Sequence, residues 1–239
     1  MIQLLEVLDK WTGILDIGGD VDVVYLDLAK AFDSVPNNRL LLKLEYYGVK
    51  GTLLEWMKDF LIGRRQLVMV AGSRTGSHWA PVLSGVPQGS VLRPLLFISY
   101  INDMPETVSS FIYMYADDTK VVREVTTTID CEELQADLDS IQHWSEKWQL
   151  KFNSSKCKIM HLGHSSDRAE YTMNDNGIEI SLEVISEEKD LGVWMDDRLK
   201  FSTHIGHAVA KGNQVLGLTK RSFVHQDSDI IKRLFMALV

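Results

Sequence analysis

Residues 113–119 read YMYADDT, with Asp117 and Asp118 side by side at the end of an apolar run. Adjacent carboxylates repel each other and neither suits a strand interior, so they belong either at an exposed turn or around a cation. The cation has definite chemistry behind it. Phosphoryl and nucleotidyl transfer need little covalent help and much charge neutralisation, which two Mg²⁺ ions held by a few carboxylates supply. Mg²⁺ takes one or two carboxylates together with waters and substrate phosphates, so aspartates on two neighbouring strand ends suffice. Asp27 closes the β-branched run VDVVYLD at 21–27. If its strand neighbours the one that carries Asp118, all three aspartates face one cavity.

The elements that must position them follow from periodicity. Ile2, Leu5, Leu8, Trp11 and Leu15 keep a helical spacing that Gly18–Gly19 stop. Residues 21–27 then predict a buried strand. Helices are expected over 36–47, opened by Pro36 and closed by Gly48, and over 52–62, closed by Gly63. QLVMVAG and SHWAPVL flank a turn-rich GSRTGS and predict a hairpin. SGVPQGS at 84–90 is a shaped loop, and the VLRPLLFISYIND after it is helical, with Pro94 in its first turn. SSFIYMYADDTKVVREV predicts a second hairpin with the aspartates at its tip. Asp130 with Glu133 marks a helix start, and Leu134, Leu138, Ile141 and Trp148 continue one stripe to about Leu150. CKIMHL, IEISLEVI and DLGVWMD read as short strands, and two helices follow near 203–222 and 227–239. Strands and helices mix without regular βαβ alternation, which predicts an α+β fold with an antiparallel sheet.

A chain of 239 residues is long enough for one good-sized core or two small domains. Cys131 and Cys157 cannot build a disulfide framework or a four-ligand zinc site, no secretory leader opens the chain, and no apolar stretch reaches membrane-spanning length. The expectation is an intracellular protein without a membrane partner. A net charge of −8 argues against simple coating of nucleic acid. Arg64, Arg65, Arg74 and Arg93 nonetheless form a local basic group, so a basic groove on an acidic body is compatible with the sequence. The tetrapeptide His204-Ile205-Gly206-His207 falls after all the strands and lacks the context of a nucleotide-binding unit. His161 and His164 have no further ligand-spaced partners for zinc.

Taken in order, DLAKAFD (27–33), SGVPQGS (84–90), YINDMP (100–105), YADD (115–118) and EKDLGV (188–193) make the sequence resemble the reverse transcriptase of a non-LTR, LINE-type retrotransposon over nearly its whole length. The resemblance implies a right-hand polymerase palm, an antiparallel sheet flanked by helices over residues 1–199, and the start of a helical thumb over 200–239. It also implies a chain cut at both ends, with the fingers mostly missing. Asp27, Asp117 and Asp118 map onto the family's three metal-binding aspartates, with two Mg²⁺ ions as cofactor and Mn²⁺ as an alternative. Main-chain amides of Leu28, Ala29, Lys30 and Ala31 would face the triphosphate of the incoming nucleotide. Phe32 lies where the family's steric gate meets the sugar, unless it is an ordinary core aromatic. Gln88 and Gly89 match the loop that packs on nucleotide and template, although glycine and proline alone would make the same tight turn.

Lys156 matches a lysine proposed to protonate the pyrophosphate leaving group, against the default of an exposed lysine. Leu191-Gly192-Val193 resembles the primer grip or is plain strand. Arg93 stands where the family usually has glycine, and an arginine does not take φ > 0 as cheaply, which predicts strain at that turn. The implied partners are an RNA template, a DNA primer and dNTP. Two other readings use the same residues: a catalytically inactive retroelement relic that still binds nucleic acid, and a metal-dependent phosphohydrolase.

Overall fold

In a computed structural model, described over residues 2–69, 76–164, 168–175, 177–222 and 227–238, the chain forms two compact units. One is Gly13–Val184; the other comprises Met1–Thr12 and Ile185–Val239. The elements run α1 (Ile2–Asp16), β1 (Asp20–Leu26), α2 (Ala31–Ser34), α3 (Asn37–Tyr46), α4 (Thr52–Leu61), β2 (Arg65–Gln66), β3 (Ala80–Pro81), α5 (Leu92–Ile101), β4 (Phe111–Tyr115) and β5 (Asp118–Val125). They continue with α6 (Thr128–Trp148), β6 (Lys158–Leu162), β7 (Thr172–Asp175), β8 (Ile178–Ser181), β9 (Glu183–Ile185), β10 (Glu187–Asp190), β11 (Val193–Asp196), α7 (Ser202–Ser222) and α8 (Ser228–Leu238).

The larger unit is built on a five-stranded sheet in the order β4-β5-β1-β6-β9. β1 lies at its centre because five of its seven residues are buried, so both its faces must be covered. It pairs antiparallel with β5 from Asp20↔Val125 to Leu26↔Thr119, and with β6 from Val21↔Leu162 to Tyr25↔Lys158. Leu96, Phe97, Tyr100 and Ile101 of α5 and Leu134, Leu138, Ile141 and Trp144 of α6 join Val24, Val121 and Ile159 of the sheet in one core. Their three- and four-residue spacings are the amphipathic stripes expected of helices on a sheet. At the sheet end opposite Asp27, buried Asp22 ties β1 to its surroundings: its carboxylate lies 2.5 Å from His161 Nδ1 and accepts from Tyr171 Oη at 2.6 Å.

Helix packing is pinned by a buried cation. Lys43 of α3 is 3 % exposed, donates to Tyr100 O and Asp103 Oδ1 at 2.5 Å each, and lies 3.8 Å from the Trp148 ring centroid. Burial pulls its pKa down to about 8, against the opposing pull of Asp103. The start of β4 is held by Asp137 of α6, which accepts from the backbone N–H groups of Ser109 and Ser110 at 2.8 Å each. α6 starts earlier than its acidic pair suggests. Thr127 is the N-cap and Asp130, at the third helical position, accepts from the N–H groups of Thr126 and Thr127 at 3.0 and 2.8 Å.

Two predicted strands are redrawn. The 66–83 hairpin reduces to the β2–β3 ladder of two residue pairs plus a Met69–Gly76 bridge, and most of its turn, at 70–75, lies outside the described residues. DLGVWMD is not one strand: β10 and β11 form a hairpin whose turn residues Leu191 and Gly192 take φ of 47° and 90°, as a tight hairpin turn requires. β7 and β10, rich in polar residues, were not expected. In the smaller unit, Asp196 accepts from the N–H groups of Arg198, Lys200 and Phe201 ahead of α7, and Trp194 stacks on His207 with centroids 4.8 Å apart. Among the described residues no helix is long and apolar enough to cross a membrane.

Candidate active site

Asp27 is the first residue after β1, and the chain beyond it is held by a neighbouring segment. Asn153 N–H donates to Asp27 O and Ala29 N–H to Lys151 O, both at 2.8 Å, around a Leu28↔Phe152 bridge. Ala29's amide is thus engaged within the chain, which removes it from the expected phosphate-facing set. Lys30 follows with φ 50°, a left-handed conformation that turns the backbone into α2. The strap also brings up Lys156, at the end of a 3₁₀ turn over Ser154–Lys156. Its Nζ lies 3.6 Å from Asp27 Oδ2, with side chains 64 % and 43 % exposed.

The hairpin β4–β5 turns through Ala116 and Asp117, with Tyr115 paired to Asp118 and Ala116 at φ 55°. A left-handed non-glycine residue is a local cost that the flanking ladder has to hold in place. Asp117 and Asp118 are exposed. β1 and β5 end at Leu26↔Thr119, so one further antiparallel step sets Asp27 opposite Asp118. Asp27 and the Asp117–Asp118 pair therefore sit at the same end of adjacent strands. Their all-oxygen donor chemistry suits a hard ion such as Mg²⁺. Among the described residues, however, no three His, Cys, Asp or Glu side chains are gathered closely enough to hold a metal, and Asp27 pairs with Lys156.

Phe32 of α2 is half-buried, its ring 4.3 Å from that of Phe97. Arg93 lies over the same ring, its guanidinium carbon 4.7 Å from the centroid, and its Nη2 reaches Asp33 Oδ1 at 3.3 Å. The strain expected at Arg93 does not occur. Arg93 is not among the left-handed residues; it occupies the first turn of α5, where right-handed φ suits any side chain.

The loop at 84–90 packs on α2 through its backbone. Gly85 N–H donates to Val35 O at 2.7 Å, Val86 N–H to Phe32 O at 2.9 Å, and Ser84 Oγ to Asp33 O at 2.9 Å. Arg64 closes it from the other side, donating to Gly85 O and Leu61 O. Gly85 has φ +84°, and a Cβ there would come within 2.7 Å of Asp33 O. Gln88 and Gly89 lie exposed on the outer part of the loop. Sequence reasoning singled out neither Gly85 nor the Arg93–Phe32 contact and read Arg64 only as part of a basic group; the one signal for Gly85 was its place at the head of GVPQG.

A family model described as reverse transcriptase (RNA-dependent DNA polymerase) matches residues 12–220. The RNA-directed DNA polymerase from mobile element jockey of Drosophila melanogaster is 33 % identical over 193 residues, covering 76 % of this chain and 20 % of that protein. Its counterpart in Drosophila funebris is 32 % identical over 191 residues, with the same coverage. The probable RNA-directed DNA polymerase from transposon X-element of Drosophila melanogaster is 30 % identical over 217 residues, covering 85 % of this chain and 22 % of that protein. The chain thus spans about a fifth of the length of these relatives. Among solved structures, apo telomerase from Candida tropicalis is similar with a TM-score of 0.49 at 13 % identity, covering 74 % of this chain and 38 % of that one. Telomerase from Candida albicans has a TM-score of 0.48 at 15 % identity, covering 78 % and 34 %. With the family model matched across most of its length and its motifs carried on an antiparallel sheet flanked by helices, the chain belongs to the reverse transcriptase family.

Proposed function

We propose that this chain is the palm of an RNA-directed DNA polymerase, with the palm over residues 1–199 and a thumb beginning at 200, acting on an RNA template, a DNA primer and dNTP. The observation that carries the reading is the shared strand end of Asp27, Asp117 and Asp118, in a chain that matches the reverse transcriptase family. These three carboxylates would hold the divalent ions, Mg²⁺ or Mn²⁺, whose charge would offset that of the phosphates and favour ionisation of the primer 3′-hydroxyl. Lys156, beside Asp27 at 3.6 Å, would face the pyrophosphate leaving group as its proton donor. Main-chain amides of Leu28, Lys30 and Ala31 orient the triphosphate. Phe32, held between Phe97 and Arg93, excludes the ribose 2′-hydroxyl, and Gln88 and Gly89 meet the templating pair.

A second reading, a catalytically inactive relic that keeps nucleic-acid binding, is favoured by the Asp27–Lys156 pair and by the absence of a gathered three-carboxylate cluster among the described residues. Primer extension on an RNA template in Mg²⁺ and in Mn²⁺ separates the two. The polymerase reading expects dNTP incorporation that falls at least about a hundredfold in Asp117→Asn, the order by which loss of charge stabilisation slows such transfers. Incorporation no higher than that of Asp117→Asn, with oligonucleotide binding retained, establishes the relic. Release of phosphate from dNTP without primer would point to a phosphohydrolase.

A further inference from the structure

Arg93 and Phe97 stand four residues apart on α5 and so share one face of that helix. Both touch Phe32. The Phe97 ring, fully buried, lies 4.3 Å from the Phe32 ring at an interplanar angle of 32°, and the Arg93 guanidinium carbon lies 4.7 Å from the Phe32 centroid. The Phe32 backbone is fixed independently, through its carbonyl, which accepts from Val86 N–H at 2.9 Å. Its side chain projects from a helix of only four residues, α2, so the ring is held by what packs on it. What seats Arg93 there is the ring itself. The Asp33 carboxylate that Arg93 reaches at 3.3 Å is 69 % exposed, which makes the ion pair weak, and the buried Arg93 Nε has no partner among the described residues. The Arg93 side chain is only 20 % exposed, and a guanidinium so far out of water gains more over an aromatic face than an exposed ion pair gives it. A glycine, the residue expected at position 93, would leave Phe32 held by Phe97 alone.

We propose that Arg93 sets how strictly this chain refuses ribonucleotides. With Phe97 it clamps the Phe32 ring, so that the ring cannot turn aside for a ribose 2′-hydroxyl. A steric barrier discriminates only to the extent that it resists displacement, and each contact that must break before the ring moves adds to the difference between the two sugars. Arg93 is thus a positioning residue, acting through Phe32 rather than on the reacting atoms. The inference rests on the polymerase reading for the place of Phe32 at the sugar; the clamp itself follows from the packing of α5 on α2.

The test is single-nucleotide primer extension on an RNA template with dATP and with ATP, comparing the ratio of their kcat/KM values across variants whose fold circular dichroism confirms. Arg93→Ala is expected to lower the preference for dATP about fivefold, the weight of one partly buried cation–π contact. Arg93→Lys keeps a cation over the ring and should lower it less than about twofold. In a Phe32→Val background, adding Arg93→Ala changes the ratio by less than about twofold, because the residue acts through the ring. A loss of the same size with and without Phe32 overturns the proposal. So does an equal change for dATP and ATP, which marks a side chain that merely obstructs the pocket or supports the fold. Incorporation that Asp117→Asn abolishes, with the sugar preference unchanged in Arg93→Ala, leaves the polymerase reading standing and this one fallen. Absence of incorporation by the unaltered chain ends both.

Discussion

At the scale of single residues, the pairing of Asp27 with Lys156 is the feature with the clearest chemical consequence. An ammonium 3.6 Å from a carboxylate occupies the electrostatic place of a cation, so a divalent ion has to compete with it. Both side chains are substantially solvated, and exposed pairs contribute about 0.2–1 kcal/mol. Lys156→Met is therefore expected to tighten Mn²⁺ binding by about 1.4- to 5-fold, read by titration calorimetry, while slowing extension if the lysine also donates a proton. Unchanged ion affinity would show that the pair is incidental. The shared strand end of Asp27 and the Asp117–Asp118 pair was legible in the sequence, because each closes a β-branched or aromatic run; their metal-binding role came from the family resemblance, since a carboxylate doublet by itself also suits an exposed turn. Arg93 was misread. Its type suggested strain, whereas its position in a helical turn directs it onto Phe32, a contact between residues 61 positions apart that no local pattern encodes.

At the scale of elements, the candidate site depends on how closely the 84–90 loop lies on α2. Gly85 makes that approach possible, since a side chain there would meet the backbone of Asp33 and φ is +84°. Gly89, at φ +79°, has open space around it. Both replacements carry the left-handed penalty of about 1 kcal/mol, but only Gly85→Ala adds a steric clash with backbone. Gly85→Ala should lower stability by at least about 2 kcal/mol more than Gly89→Ala in urea unfolding, the scale of overpacking costs. Equal losses would mean that the loop can lift away freely. Helices and central strands were readable from apolar spacing, because β1, α5 and α6 are driven by burial. The polar β7 and β10 were not: their pairing comes from neighbouring strands and turns, not from any apolar stripe of their own.

At the scale of the whole molecule, buried titratable groups shape the pH dependence of stability. Lys43 has a folded pKa near 8, below its ordinary 10.5, so the folded state sheds that proton first and stability rises with pH above 8. Burial raises Cys157 from 9.0 to about 11, and raises Tyr100 and Tyr171 above 10.0. Each of these favours the folded state below its ordinary pKa and loses that contribution as pH climbs past it. At the acid end, hydrogen bonds from Thr126 and Thr127 hold Asp130 at about 2, so its support is present above pH 4 and disappears as pH falls toward 2. The expected profile climbs between pH 8 and 9 by at most about 1.4 kcal/mol, one proton's worth, then levels and falls above 10. Lys43→Met should abolish the climb; its persistence in that variant would assign it elsewhere.

Net charge is a sum over the chain and does not show where arginines and carboxylates are segregated. The backbone strap of residues 151–153 couples two otherwise separate events. Asp27 O and Ala29 N–H are both fastened to the stretch that carries Lys156. In the proposed polymerase, a triphosphate drawn toward the lysine would therefore tug on the acid through main chain as well as through charge. By thermodynamic reciprocity, capture of a metal and arrival of a nucleotide there would then alter each other's affinity by the same factor.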